Sequence, residues 1–209
     1  MFIRRGTFRG PFCLISAGSA GAFLGFALWV SYTAFVLNDA GILKENGLLE
    51  NVQVIILALA CLVYIVPIPL EKRTDKLILL FCSLLCLSFM LRELDVEYFA
   101  AVPDILKLAG SGIGKRLILG AGFISIFVYA SLDFSYYKNA VVGFLCTISG
   151  RLLVFACIFL LLGAYFDKHE SIPYQVYYEE MSEYCGYFFI YLSAISIVAG
   201  SMTSRVSRH

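Results

Sequence analysis

From Phe12 to Leu37 the chain carries no charged side chain, and this run is the strongest constraint on what it can fold into. A helix rises about 1.5 Å per residue and the hydrocarbon core of a bilayer is about 30 Å thick, so about 20 apolar residues cross it. The run meets that length with residues to spare, and it is too long for the apolar region of a signal peptide. Five further segments approach or meet the same test. The 209 residues are 60% hydrophobic and 15% charged, with a mean hydropathy of +0.85. A water-soluble fold lacks the polar surface to cover such a core, whereas lipid asks only that the backbone satisfy itself within helices. The sequence therefore predicts an all-α polytopic membrane protein, one domain over 1–209. Its six transmembrane helices fall near 12–37, 48–70, 77–98, 117–135, 143–166 and 184–202, joined by short loops. The stretches 93–116 and 167–183 are expected at the surface as turns or interfacial helices.

The 16 basic and 15 acidic residues give a net charge of +1, which excludes a field that would attract nucleic acid. Position matters more than the sum. Arg4, Arg5 and Arg9, then Lys72, Arg73 and Lys76, then Lys138, then Arg205 and Arg208 all fall on one side of a six-helix arrangement. By the bias of lysine and arginine toward cytoplasmic loops, both termini are expected in the cytoplasm. Among the opposing residues are Lys107, Lys115 and Arg116. No N-x-[ST] sequon occurs, which is compatible with a bacterial inner membrane. Glu71, Asp75 and Asp133 share the inner side, while the other twelve acids fall outside, so the outer face carries the unusual chemistry.

Four places bear on function. In KENGLLENVQ, Asn46 is expected to cap the second helix, and Glu50 and Gln53 are three apart, on one side of its first turns. An acid there complements the helix dipole, but an amide facing lipid is costly, so Gln53 is expected to point toward protein or water. In FMLRELDVEYF, a third helix ending at Leu91 would be too short to cross. It is therefore expected to continue through Arg92, Glu93, Asp95 and Glu97, with Arg92 pairing locally or reaching Glu50. Arg151 sits either near mid-membrane with an acidic partner or, if its helix starts near Thr147, one turn inside and directed to cytoplasmic phosphates. Before the last helix, Glu179 and Glu183 are four apart and align if that helix starts early. The tyrosines from Tyr174 to Tyr191, among them Tyr184 and Tyr187, resemble an aromatic belt.

Together the outer ends of the second, third and sixth helices are expected to build an oxygen-rich pocket whose chemistry suits a hard cation such as Ca²⁺ or Mg²⁺. Zinc fits badly, because His169 and His209 are the only histidines. Of the seven cysteines, Cys13, Cys61, Cys82, Cys86, Cys146 and Cys157 lie in apolar runs and are expected as free thiols, with Cys185 at a membrane boundary. The run AGSGIGKR, Ala109 to Arg116, lacks the spacing of a phosphate loop and reads as a flexible turn, with Lys115 and Arg116 placed to meet a lipid phosphate. Ala17, Gly21 and Gly25 make a small-residue stripe suited to packing within the bundle, against another membrane protein or across a homodimer. No catalytic nucleophile signature is present. The leading functional reading is a non-enzymatic membrane component whose pocket of Glu50, Gln53, Arg92, Glu93 and Asp95, with Arg151 as a further candidate, binds a lipid headgroup, a cation or a segment of a partner protein. The alternatives are a lipid-modifying or transfer enzyme using a carboxylate as general base, and a small ion- or proton-coupled transporter.

Overall fold

The computed structural model describes residues 10–43, 47–68, 73–94, 112–169 and 171–206. Within them are seven α-helices: α1 (Gly10–Phe35), α2 (Leu48–Ile65), α3 (Arg73–Glu93), α4 (Gly112–Ser131), α5 (Phe134–Leu145), α6 (Ile148–Asp167) and α7 (Gln175–Val206). A short 3₁₀ turn, Ala40–Leu43, follows α1. The helices α1, α2, α4, α6 and α7 are each long and apolar enough to cross a membrane. The sixth crossing is α3, charged at its two ends around the uncharged run from Leu77 to Leu91. The protein is an all-helical, polytopic bundle. Large side chains such as Leu14, Leu28 and Ile113 stand fully outward, an arrangement that lipid favours and water penalises.

Helix boundaries differ from the sequence expectation at several places. The third helix ends at Glu93 and gains its length at the other end, from Arg73. Its 21 residues rise about 31 Å, so no extension through Asp95 is needed to span the core. Asp95, Glu97 and Lys107 lie outside the described residues. The expected turn at Ala109 to Arg116 is helical from Gly112 onward, where α4 begins. The expected cap of α2, Asn46, also lies outside them, and the cap position belongs to Gly47. A separate helix, α5, precedes α6, whose N-cap Thr147 accepts a hydrogen bond from the backbone N–H of Gly150. Gly150 is required there: a Cβ would collide with the Phe144 carbonyl at the end of α5. The last helix starts at Gln175, which brings all three late glutamates onto it.

The long helix α7 runs through the centre. Against α1 it stacks Tyr184 on Phe23, with ring centroids 4.6 Å apart. Against α2 it runs parallel, with Tyr64 Oη donating to Ser193 Oγ at 2.9 Å. Its seam with α6 is antiparallel and built on small residues seven apart. Ser149 Oγ donates to the Ser193 carbonyl and Ser193 Oγ returns a bond to the Ser149 carbonyl, at 2.6 and 2.9 Å. Seven residues along each helix, a Cβ on Gly186 would stand 3.3 Å from the Ala156 carbonyl. Seven further, one on Gly163 would stand 3.4 Å from the Glu179 carbonyl. A seven-residue repeat of small side chains, Ser149, Ala156 and Gly163 on α6 with Gly186 and Ser193 on α7, keeps one face of each helix against the other and lets the backbones approach closely in lipid. The stripe Ala17, Gly21 and Gly25 is not used this way. All three residues are exposed, and nothing lies within 4 Å of a Cβ built on either glycine.

Candidate functional site

At the end of the bundle opposite the start of α1, three helix segments meet: the first turns of α2, the last turn of α3 and the early turns of α7. The inward stripe of α2 consists of Leu49, Gln53, Leu57, Ala60 and Tyr64, a three-and-four spacing that carries Gln53 into the interior with its apolar neighbours. Gln53 is fully buried. Its Nε2 donates to the Glu180 carbonyl at 3.2 Å and to Glu180 Oε2 at 3.1 Å. Its Oε1 is buried and has no hydrogen-bond partner among the described residues. Turning the amide over would set that oxygen against two acceptors, so the orientation is fixed by Glu180 and the unmet acceptor belongs to the site.

Arg92 organises the other half. Its Nε and Nη2 donate to Glu93 Oε1 at 2.9 and 2.7 Å, and Nη2 also donates to Glu183 Oε2 and to Tyr187 Oη. Tyr187 in turn donates to Glu93 Oε1 at 2.7 Å. The carboxylate side chains of Glu93 and Glu183 are 8% and 7% exposed, while that of Arg92 is 48% exposed. Glu183 reaches this position because Gly163 of α6 opposes it: a Cβ there would lie 2.8 Å from Glu183 Cγ. The two halves are electrostatically joined, since Glu50, Glu93 and Glu183 all act on Glu180. Beside them, Lys115 Nζ donates to the Leu91 carbonyl at the C-terminus of α3, where a cation is favoured by the helix dipole.

The structure thus brings Gln53, Arg92 and Glu93 into one cluster, with half-buried Glu50 near it through Glu180. The guanidinium pairs with Glu93 and Glu183, whereas the sequence reading expects a local partner or Glu50. Arg151 is not part of the cluster. It occupies the first turn of α6 at the opposite end of the bundle, exposed, with Nε and Nη2 donating to the Cys146 carbonyl at 3.3 and 3.0 Å. This is the shallow position that a helix starting after Thr147 dictates.

Glu180, Glu183 and Tyr187 were not among the residues singled out as the site. The signal was present in their spacing: Glu180, Glu183, Tyr184 and Tyr187 recur at three and four, the period of one helix face. The belt reading fits Tyr174 and Tyr178, which are exposed, but not Tyr184 and Tyr187, which are buried. Among the described residues, no three His, Cys, Asp or Glu side chains group as a metal site would require. Arginine occupies the place between Glu93 and Glu183 instead. The six cysteines from Cys61 to Cys185 are free thiols. No protein-family model matches the chain, and neither a curated protein nor a solved structure matches it.

Proposed function

We propose that the protein is a non-enzymatic membrane component that holds a cationic, hydrogen-bond-donating group in the cluster of Glu50, Gln53, Glu180 and Glu183. The observation that supports this most directly is the buried Gln53 Oε1, which meets no donor among the described residues. Leaving such an acceptor unmet costs about 1–3 kcal/mol, and an N–H from a bound group removes that cost. Charge favours the same ligand. Glu93 and Glu183 share the Arg92 guanidinium, while Glu180 stands against the like charges of Glu183, Glu93 and Glu50, in surroundings that screen charge poorly. An ammonium group supplies both what the amide oxygen and what the carboxylates lack. By the distribution of lysine and arginine, this end of the bundle faces away from the cytoplasm, with both termini inside and the inner membrane of a bacterium as the setting.

The test is thermal unfolding of the purified protein in mild detergent, titrated with ethanolamine, tetramethylammonium and Ca²⁺. Ethanolamine raises Tm in a saturating manner, by the equivalent of about 2.7 kcal/mol at a hundredfold excess over its Kd. Tetramethylammonium, a cation without an N–H, gives a smaller shift, and Gln53→Leu and Glu180→Gln remove the ethanolamine shift. Equal stabilisation by tetramethylammonium, or a response to Ca²⁺ alone, would replace this reading with one of a bare cation.

A further inference from the structure

Beyond the acidic cluster, we infer that the face shared by α2, α3 and α4 toward the other end of the bundle binds one acyl chain of an anionic phospholipid, with Lys76 at its headgroup. A groove of about 570 Å³ runs there, from Leu77 to Leu87 on α3, beside Gly122 to Tyr129 of α4 and Cys61 and Ile65 of α2. Packing on one flank of α3 sets it open. Phe81, which does not line the groove, stands edge-on to Phe123 and Phe127, with ring centroids 5.7 and 6.3 Å apart, and holds α4 on that flank. The groove side carries small residues: Gly122, where a Cβ would lie 2.9 Å from Leu84, with Ser83, Ser125 and Cys61. Their polar atoms are turned onto backbone. Ser83 Oγ donates to the Leu80 carbonyl at 2.9 Å, Ser125 Oγ to the Ala121 carbonyl at 2.7 Å and Cys61 Sγ to the Ser83 carbonyl at 3.5 Å. A wall that satisfies its own hydroxyls and thiol suits hydrocarbon.

Length and charge select the occupant. From Leu77 to Leu87 the helix rises about 15 Å, one leaflet's share of the hydrocarbon core. A partner's transmembrane helix calls for a face along the whole crossing, whereas an acyl chain extends through one leaflet. Lys76 lies four residues before Leu80 and eight before Leu84, so it continues the groove stripe by one turn, at the point where the uncharged run of α3 begins. It is exposed. Tyr129 lines the groove from the last turn of α4, a position suited to tyrosine at a membrane interface. By the order of the crossings, ten of the 16 basic residues but three of the 15 acidic ones fall at this end, so a lipid phosphate meets a positive surface.

The experiment is native mass spectrometry of the full chain in detergent with phosphatidylglycerol and phosphatidylcholine of identical acyl chains. Wild type retains one phosphatidylglycerol severalfold better than phosphatidylcholine. Ser125→Phe, which fills the groove, lowers that retention severalfold, whereas Ile124→Phe, at the exposed neighbouring position, does not. Lys76→Gln removes the preference for phosphatidylglycerol, while Arg151→Gln, at the same end but on α6, keeps it. Should Ser125→Phe fail to fold, phosphatidylglycerol carrying a photoreactive group midway along one chain answers the question in wild type, by crosslinking to peptides that contain Leu77–Leu87 or Gly122–Tyr129. Equal retention by the two phenylalanine variants, or crosslinks spread evenly over the outward faces of all the helices, overturns the site in favour of ordinary surrounding lipid. Loss of the preference in Arg151→Gln as well as in Lys76→Gln assigns it to the field of the whole end and overturns the headgroup contact. A lipid-free dimer that Ser125→Phe dissociates gives the groove to a second copy and overturns the proposal.

Discussion

Arg92 at the end of α3 and Glu183 in the third turn of α7 form an ion pair across 91 positions of sequence, and that pair closes one end of the helix bundle. Because Glu93 accepts from the same guanidinium and Tyr187 bridges both, the contact is a network and not an isolated pair. Replacing Arg92 by Met leaves two nearly buried carboxylates without a cation. The expected cost is about 3 kcal/mol, at the lower end for a broken buried pair because Arg92 is half exposed. Glu183→Gln costs less, about 1–2 kcal/mol, since Glu93 still holds the guanidinium. Thermal unfolding of the two single variants and the double variant should give a positive coupling; strict additivity would show that the pair is not energetically joined.

Gln53 separates the site from its scaffold. Substitution by Leu keeps the volume of the buried position and withdraws the donor from Glu180, but it also removes the unmet Oε1, so the two effects offset and the net change in ligand-free protein is expected within about 1 kcal/mol. Gln53→Glu places a further carboxylate against Glu180 and is expected to be worse than Leu in ligand-free protein. The ranking is read from Tm in detergent, and a Glu variant as stable as wild type would contradict the packing of that amide against an acid.

Glycines on the α6–α7 seam and on α1 should behave oppositely. Gly186→Ala forces Leu160 to move, because a Cβ would lie 2.8 Å from its Cγ, and overpacking of this kind costs about 1–3 kcal/mol. Gly150→Ala meets backbone, the Phe144 carbonyl, and is expected to exceed it. Gly21→Ala and Gly25→Ala meet nothing within 4 Å and should leave the unfolding of the monomer within about 0.5 kcal/mol of wild type. A single Tm series over these four variants checks the order.

The buried hydroxyls at the far end of the seam join three helices. Tyr64→Phe removes the bond from α2 to Ser193 but leaves the reciprocal Ser149–Ser193 bonds between α6 and α7. The expected loss is about 0.6 kcal/mol, typical of an interhelical hydrogen bond in a membrane. Ser193→Ala, which also removes the bond returned to the Ser149 carbonyl, should cost more. Equal effects in the two variants would indicate that Tyr64 carries most of the interaction.

The crossings were legible in the amino-acid order, because hydrophobic length alone decides whether a helix spans lipid. So was the inward direction of Gln53, since lipid penalises an exposed amide. The helix ends were less legible. The charged run after Leu91 suggested an extension, whereas the helix instead recruits residues back to Arg73, because a helix may take its length at either end and apolar content does not say which. The early start of α7 was hidden by a stretch of tyrosine and glutamate that suits an interface as well as a helix. Its three-and-four spacing carried the answer, but only packing against α2, α3 and α6 turned Tyr184, Tyr187 and Glu183 inward. Local chemistry thus set which segments cross and where charge is tolerated. Which carboxylate meets Arg92 was decided by tertiary structure, because Gly163 admits Glu183 across a helix seam, and a close approach between distant segments has no signature in either segment alone.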